Sequence, residues 1–220
     1  GTPPATTDQP AVMMVFDTSI GRASLTNPPV LATRIGFNLR GQSTLGFAKK
    51  ALAVETWDEF NESRNVEVLG MPSESDWAFY APDLYDLPLI HNPFIHELSR
   101  RIGRYSSRVR LLEVFTSFGT GALAYSSPSV GNYNGVYVLE EKVKADANRV
   151  DVPKLQPEET NSPAITGGYI LSNQSSLDPR GILSATLTIA VRGDQYETAM
   201  RRLRQMAISA DLSPVLPKIL

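Results

Sequence analysis

"TRIGFNLRGQSTLGFAKKALAVET" (residues 33–56) decides how this chain folds. Ile35, Phe37 and Leu39 alternate with Arg34, Gly36, Asn38 and Arg40, the period-two pattern of a strand with one buried face. Beyond the loop, Leu52 and Val54 fall on one face and Ala51, Ala53 and Glu55 on the other. The spacing therefore predicts two strands joined by the hairpin-like loop "GQSTLGFA". Gly41 and Gly46 stand at the separation of a Walker-type phosphate loop, but Phe47 occupies the lysine position. A strand follows where that loop requires a helix, so the Walker reading fails twice.

The strands continue outward from this hairpin. "AVMMVFD" (11–17), "NVEVLG" (65–70) and "DWAFYA" (76–81) are strand-like, the last two set around a "GMPSES" turn. "RVRLLEVFTSF" (108–118) and "NYNGVYVLEEKV" (132–143) read as long strands, and "GGYILS" and "ATLTIAV" as shorter ones. The clearest helix is expected to start with Asn92 as N-cap and Pro93 in the first turn, and to stop at Gly103. Phe94, Ile95, Leu98 and Ile102 form its apolar stripe. A basic amphipathic helix is expected over 194–209, and "PKLQPEETNSPA" (153–164) is a proline-rich connection. The fold class is α+β, mainly antiparallel sheet with few helices. Residues 1–10 read as a flexible leader without a charged-then-apolar signal sequence.

Composition is that of a globular protein, 42% hydrophobic and 20% charged, with net charge −2. Such a balance gives no general attraction to nucleic acid, and no apolar run is long enough for a membrane span. The chain has no cysteine, which removes disulfides and thiolate chemistry. Its two histidines, His91 and His96, do not make a zinc site by themselves, and no nucleophile elbow pairs with them. "DANRVD" (146–151) begins like a calcium loop but lacks the glycine and glutamate that complete one, and reads as a turn.

A glycine-rich hairpin followed by a strand lysine is one way to assemble a nucleotide site. Backbone amides and small hydroxyls cover the phosphates, and the lysine neutralises them. Gly41, Ser43, Thr44 and Lys49 or Lys50 have that arrangement; a surface hairpin with solvated lysines has it too. Glu97 on the helix could pair with the lysine. Glu140 and Glu141, with Lys142, are either metal-facing carboxylates or a charged strand edge. The basic residues Arg201, Arg202 and Arg204 read as a solvated helix face.

Taken in order, "RGQSTLGFAKK", "ETWDE", "LGMPSESDWAFYAP", "LIHNPFIHELSRRIGRY", "RVRLLEVF", "NGVYVLEEKVKADANRVDVPKL" and "ITGGYIL" resemble the CotH kinase family, the spore-coat-protein-H-like proteins of bacteria. The resemblance covers about residues 11–178. It implies an atypical protein kinase, secreted or coat-associated, with an atypical kinase-like N-terminal lobe. Such an enzyme uses ATP and Mg2+ (or Mn2+) to phosphorylate Ser/Thr of a coat or extracellular protein. On that scheme Arg40, Gly41, Ser43 and Thr44 cover the phosphates, Lys50 contacts them, and Glu97 partners Lys50. Two positions depart from the family's usual pattern: Leu87 stands where a basic residue is common, and His91 where an arginine is common. Residues 179–220 do not resemble the family's second, acidic region, so this segment is read as a divergent tail without an assigned catalytic or metal-binding aspartate. Two other readings stay open: a non-catalytic pseudokinase or structural coat module, and a different transfer such as nucleotidylation or glutamylation.

Overall fold

The computed structural model describes residues 8–18, 21–41, 43–126, 131–153, 156, 158–162, 169–172 and 188–191. The expected helix over 194–209 and residues 1–7 of the expected leader lie outside them. The chain divides into two compact units, 1–142 and 143–220.

The first unit is built on one six-stranded sheet. β1 (Gln9–Val15), β2 (Leu31–Arg40) and β3 (Ala51–Trp57) form a meander. β6 (Asp76–Tyr80), β8 (Tyr133–Glu141) and β7 (Val109–Phe115) complete the order β1-β2-β3-β6-β8-β7. Every neighbouring pair is antiparallel. β6 and β7 therefore run parallel to each other on either side of β8, with the helix α1 (His91–Arg101) in the connection between them. A two-stranded hairpin, β4 (Val66–Val68) and β5 (Met71–Glu74), is inserted between β3 and β6. Gln9 and Pro10, at the end of the expected leader, open β1.

The alternation read in the sequence sets the register. Ile35 faces Thr56, Phe37 faces Val54 and Leu39 faces Leu52, so the apolar sets of both strands share one face. Val54 in turn faces Trp77, and Phe79 faces Leu139. Ile35, Val54, Trp77, Phe79, Tyr137 and Leu139 form a single buried cluster with Phe37 and Leu52 packed against it, and the hairpin closes it with Val66, Val68 and Met71. Gly70 and Leu69 both have positive φ, +70° and +51°. That is the backbone a two-residue hairpin turn with matching strand twist requires. The stretch "GMPSES" is accordingly not a turn; the reversal sits one step earlier, at Leu69–Gly70, and Met71–Glu74 is a strand whose Met71 and Glu74 are buried. Met71 wins this because a fully buried thioether outweighs the turn preference of the Pro and Ser beside it.

α1 also differs from expectation at its start. Ile90 is the N-cap and gives no side-chain hydrogen bond, while Asn92 lies inside the first turn. The stop is as read: Gly103 has φ +79°, its N–H donates to the Arg100 carbonyl, and the Arg104 N–H donates to the Ser99 carbonyl. This is the left-handed helix end that glycine favours.

In the second unit β9 (Tyr169–Ser172) and β10 (Thr188–Val191) pair antiparallel, Tyr169 opposite Val191. Residues 146–150 form a turn in which the Asp146 carboxylate accepts the Asn148 N–H at 2.8 Å and the Asp146 carbonyl accepts the Arg149 N–H.

Because Met71 has no exposed surface and plugs the sheet's core face, Met71→Ala is expected to cost about 2–5 kcal/mol. Urea unfolding would show it as a lower midpoint with an unchanged slope. A loss below about 0.5 kcal/mol would mean that the hairpin does not belong to the core.

Candidate functional site

The loop between β2 and β3 starts at Gly41, whose φ of +111° excludes most side chains. A Cβ there would fall 2.1 Å from the Thr44 hydroxyl, so the glycine lets the chain close over Thr44. Ser43–Gly46 then makes one 3-10 turn, and the Phe47 N–H donates to the Thr44 carbonyl at 3.1 Å. The Phe47 ring packs on Tyr85 with centroids 5.0 Å apart, which ties the loop to the segment after β6.

The lysine pair separates at the mouth of β3. Lys49 turns inward: its ammonium donates to the carbonyls of Pro82, at 3.0 Å, and Val136, and lies 4.6 Å from the centre of the Tyr137 ring. Gly135, at φ +88° beside an irregularity in the β7–β8 ladder, lies next to the tip of this side chain. Burial pushes the Lys49 pKa down, and Asp83 opposes that shift. Lys50 instead reaches back along the loop and donates to the Leu45 carbonyl at 2.5 Å. Its own carbonyl accepts the Tyr137 hydroxyl at 3.1 Å, fixing the strand from which the side chain departs.

α1 is positioned by polar groups. The fully buried Asp86 carboxylate accepts the N–H groups of Ile90 and His91 and the Tyr80 hydroxyl, at 3.2–3.4 Å. It thus supplies the negative charge that the helix start favours. His91 keeps a ring nitrogen 3.3 Å from the same carboxylate. The next residue, Asn92, donates to Glu140 on β8 at 2.8 Å, and one turn further on His96 Nε2 stands 3.9 Å from that carboxylate. His96 Nδ1 shares a 2.6 Å hydrogen bond with the Ser106 hydroxyl, and Arg100 donates to the Ser107 carbonyl. Glu140 shares its sheet face with Ala78, Ala53 and Asn38, which the register places in one row across β6, β3 and β2. Burial raises the Glu140 pKa, against the Asn92 amide and the Arg40 charge, which lower it. Burial lowers that of His96, with Arg100 adding to the effect.

Arg40, Gly41, Ser43, Thr44 and Lys50 are therefore carried by one hairpin. Glu97 is not joined to it. Its carboxylate accepts hydrogen bonds from Arg101 at 2.7 Å and Arg100 at 2.8 Å, and these hold its pKa below the usual range. Glu141, adjacent to Glu140, points to the core face and is buried against Arg108, which it meets at 2.9 Å. Lys142 pairs with Asp76 at 3.0 Å. Sequence reasoning missed the Asp86 cap and the Asn92–Glu140–His96 tie. The i, i+4 spacing of Asn92 and His96 marks one helix face and is the signal that was available for the latter. Among the described residues no group of three His, Asp or Glu side chains could hold a metal ion, and no helix is long and apolar enough to cross a membrane.

The model of the CotH kinase protein family matches residues 37–184, more than half of the chain. No curated protein and no solved structure matches it.

Glu140 yields a pH prediction. Its folded pKa lies above the unfolded value, so its contribution to stability is present below the unfolded pKa and is lost as pH rises through the folded one. Glu140→Gln stays neutral throughout. It is expected to have a higher urea midpoint than the wild type near pH 7 and to lose that advantage by about pH 4. The depressed pKa of His96, which stands 3.9 Å from Glu140, acts in the opposite sense and costs stability on acidification. A variant less stable than the wild type at pH 7 would show that the ionised carboxylate is a net asset.

Proposed function

The chain belongs to the CotH kinase protein family, and from that premise we propose that its β2–β3 loop holds the phosphates of ATP for transfer to Ser/Thr of a coat or extracellular protein. The observation that carries this reading is the state of Lys50. Its ammonium rests on the Leu45 carbonyl of its own loop, the loop that Gly41 opens with a positive φ. A neutral carbonyl is a weaker partner for an ammonium than a phosphate oxygen, so an incoming phosphate displaces it without breaking a structural tie. Lys49 has no such freedom, because its contacts join the loop, the segment after β6 and β8.

The residues present fit the phosphate groups. Gly41 brings backbone N–H groups close to a ligand, Ser43 and Thr44 offer small hydroxyls, and Arg40 and Lys50 supply positive charge. Ala51 and Ala53 lie on the adjoining sheet face, flanked by Asn38 and by the buried Ala78. In the transfer, the target hydroxyl oxygen forms a bond to the terminal phosphorus and the bond to the bridging oxygen breaks, releasing ADP. The hairpin residues bind and orient the nucleotide; none of them is assigned the hydroxyl proton. Bound Mg2+ or Mn2+ would neutralise phosphate charge, and no described residue is assigned to it.

A second reading, a non-catalytic binding module of the same family, is favoured by Glu97. The helix carboxylate expected to hold Lys50 is held by Arg100 and Arg101.

With Mg-ATP at about 100 times its dissociation constant, the protein is expected to gain about 2.7 kcal/mol, read as a rise in melting temperature. Lys50→Met should abolish the rise. Lys142→Met, which breaks a surface pair with Asp76, should leave it intact. Equal effects of the two substitutions would remove Lys50 from the site. A third variant, Lys49→Met, is expected to lower the melting temperature without ligand, because the Pro82 and Val136 carbonyls lose their donor.

A further inference from the structure

A cavity of about 360 Å³ opens at the other end of β2 from the phosphate loop, between the β1–β2 connection and the tip of the β4–β5 hairpin. With nine residue steps from Leu31 to Arg40, the two lie roughly 30 Å apart along the strand. Val15, Val30, Leu31 and Leu69 give the cavity an apolar lining, and Asp17 and Glu67 are its ionisable groups. Both carboxylates are exposed, and among the described residues neither forms an ion pair. The Asp17 carboxylate accepts the neighbouring Thr18 N–H at 2.8 Å with one oxygen, Oδ1. Arg110 reaches the same hairpin, but its guanidinium donates to the Leu69 and Val109 carbonyls, each at 2.9 Å. Gly70, which the turn requires in a left-handed conformation, keeps the wall open.

We propose that this cavity receives a lysine or arginine side chain of a partner polypeptide. An aliphatic stem matches the four apolar residues, and a cationic head matches the two carboxylates; a fully apolar ligand would leave those charges without a partner. The polypeptide is indicated by β1. It is the edge strand of the six-stranded sheet, and its last residue, Val15, also lines the cavity. Among the described residues β1 pairs with β2 alone, which leaves its other edge open, and Val12 and Met14 on the same strand are exposed. A free strand edge offers backbone donors and acceptors to an extended chain while a pocket beside it takes a side chain.

The test is a titration of the 220-residue protein, followed by amide NMR, with three probes: acetyl-Val-Arg-Val-amide, the same peptide with norleucine for arginine, and agmatine. The arginine peptide is expected to shift Val15, Leu31, Leu69 and Gly70 saturably. The norleucine peptide should bind at least about tenfold more weakly, and so should the arginine peptide to the Asp17→Asn/Glu67→Gln variant, because a charge-assisted contact is lost. Both substitutions are isosteric and exposed, and the unshifted amides of the variant report that it remains folded. Equal binding of the norleucine peptide, undiminished binding by the variant, or no saturable shift would overturn the proposal. Agmatine binding as tightly as the peptide would also overturn it, since the occupant would then be a free amine.

Discussion

The register of β3 against β2 and β6 governs the rest of this structure. Leu52, Val54 and Thr56 face the core, where Val54 lies opposite both Phe37 and Trp77. A slip of one residue would turn this set outward and bring Glu55 and Trp57 in, so the buried face pins the register. Just ahead of β3, outside the alternating segment, two adjacent lysines separate. Lys49 is committed to carbonyls of Pro82 and Val136, and Lys50 is returned to its own loop.

The helix obeys a different rule. Most surface helices are fixed by burying an apolar face, yet α1 has no buried residue, and Phe94 and Ile102 are 63% and 68% exposed. It is held by Asp86 at its start, by Asn92 and His96 against Glu140 and Ser106, and by Arg100 against the Ser107 carbonyl. Hydrogen bonds of this kind contribute modestly on balance, but stranding their buried partners is costly, so they specify position more than they add stability. Glu140 shows the cost directly, because its burial disfavours the charged form even with an amide and an arginine nearby.

Much of the sheet was legible because its signal is local. The Ile35/Phe37/Leu39 alternation, the small loop and the left-handed stop at Gly103 each depend on residues close in sequence. The hairpin at Leu69–Gly70 was misplaced because turn-forming Pro and Ser lie inside β5, where burial of Met71 overrides them. The helix start was misplaced for a related reason. Asn92 has the chemistry of a cap, but Glu140, 48 residues away, claims its amide, and Asp86 takes over the helix amides from outside the first turn.

By itself, the sequence determined the strand pattern, the phosphate-loop-like hairpin and the ordered motifs of the family, since each is written in short-range spacing. Only the tertiary structure decided which lysine is tied to distant carbonyls, which glutamate is buried and where the helix carboxylate is spent. Those outcomes depend on carbonyls and charges brought together from distant parts of the chain. Lys49 meets Val136, Asn92 meets Glu140, and Glu97 remains with its own arginines. Alternation records which face a side chain takes; it holds no record of the partner waiting there, because that partner is delivered by the fold.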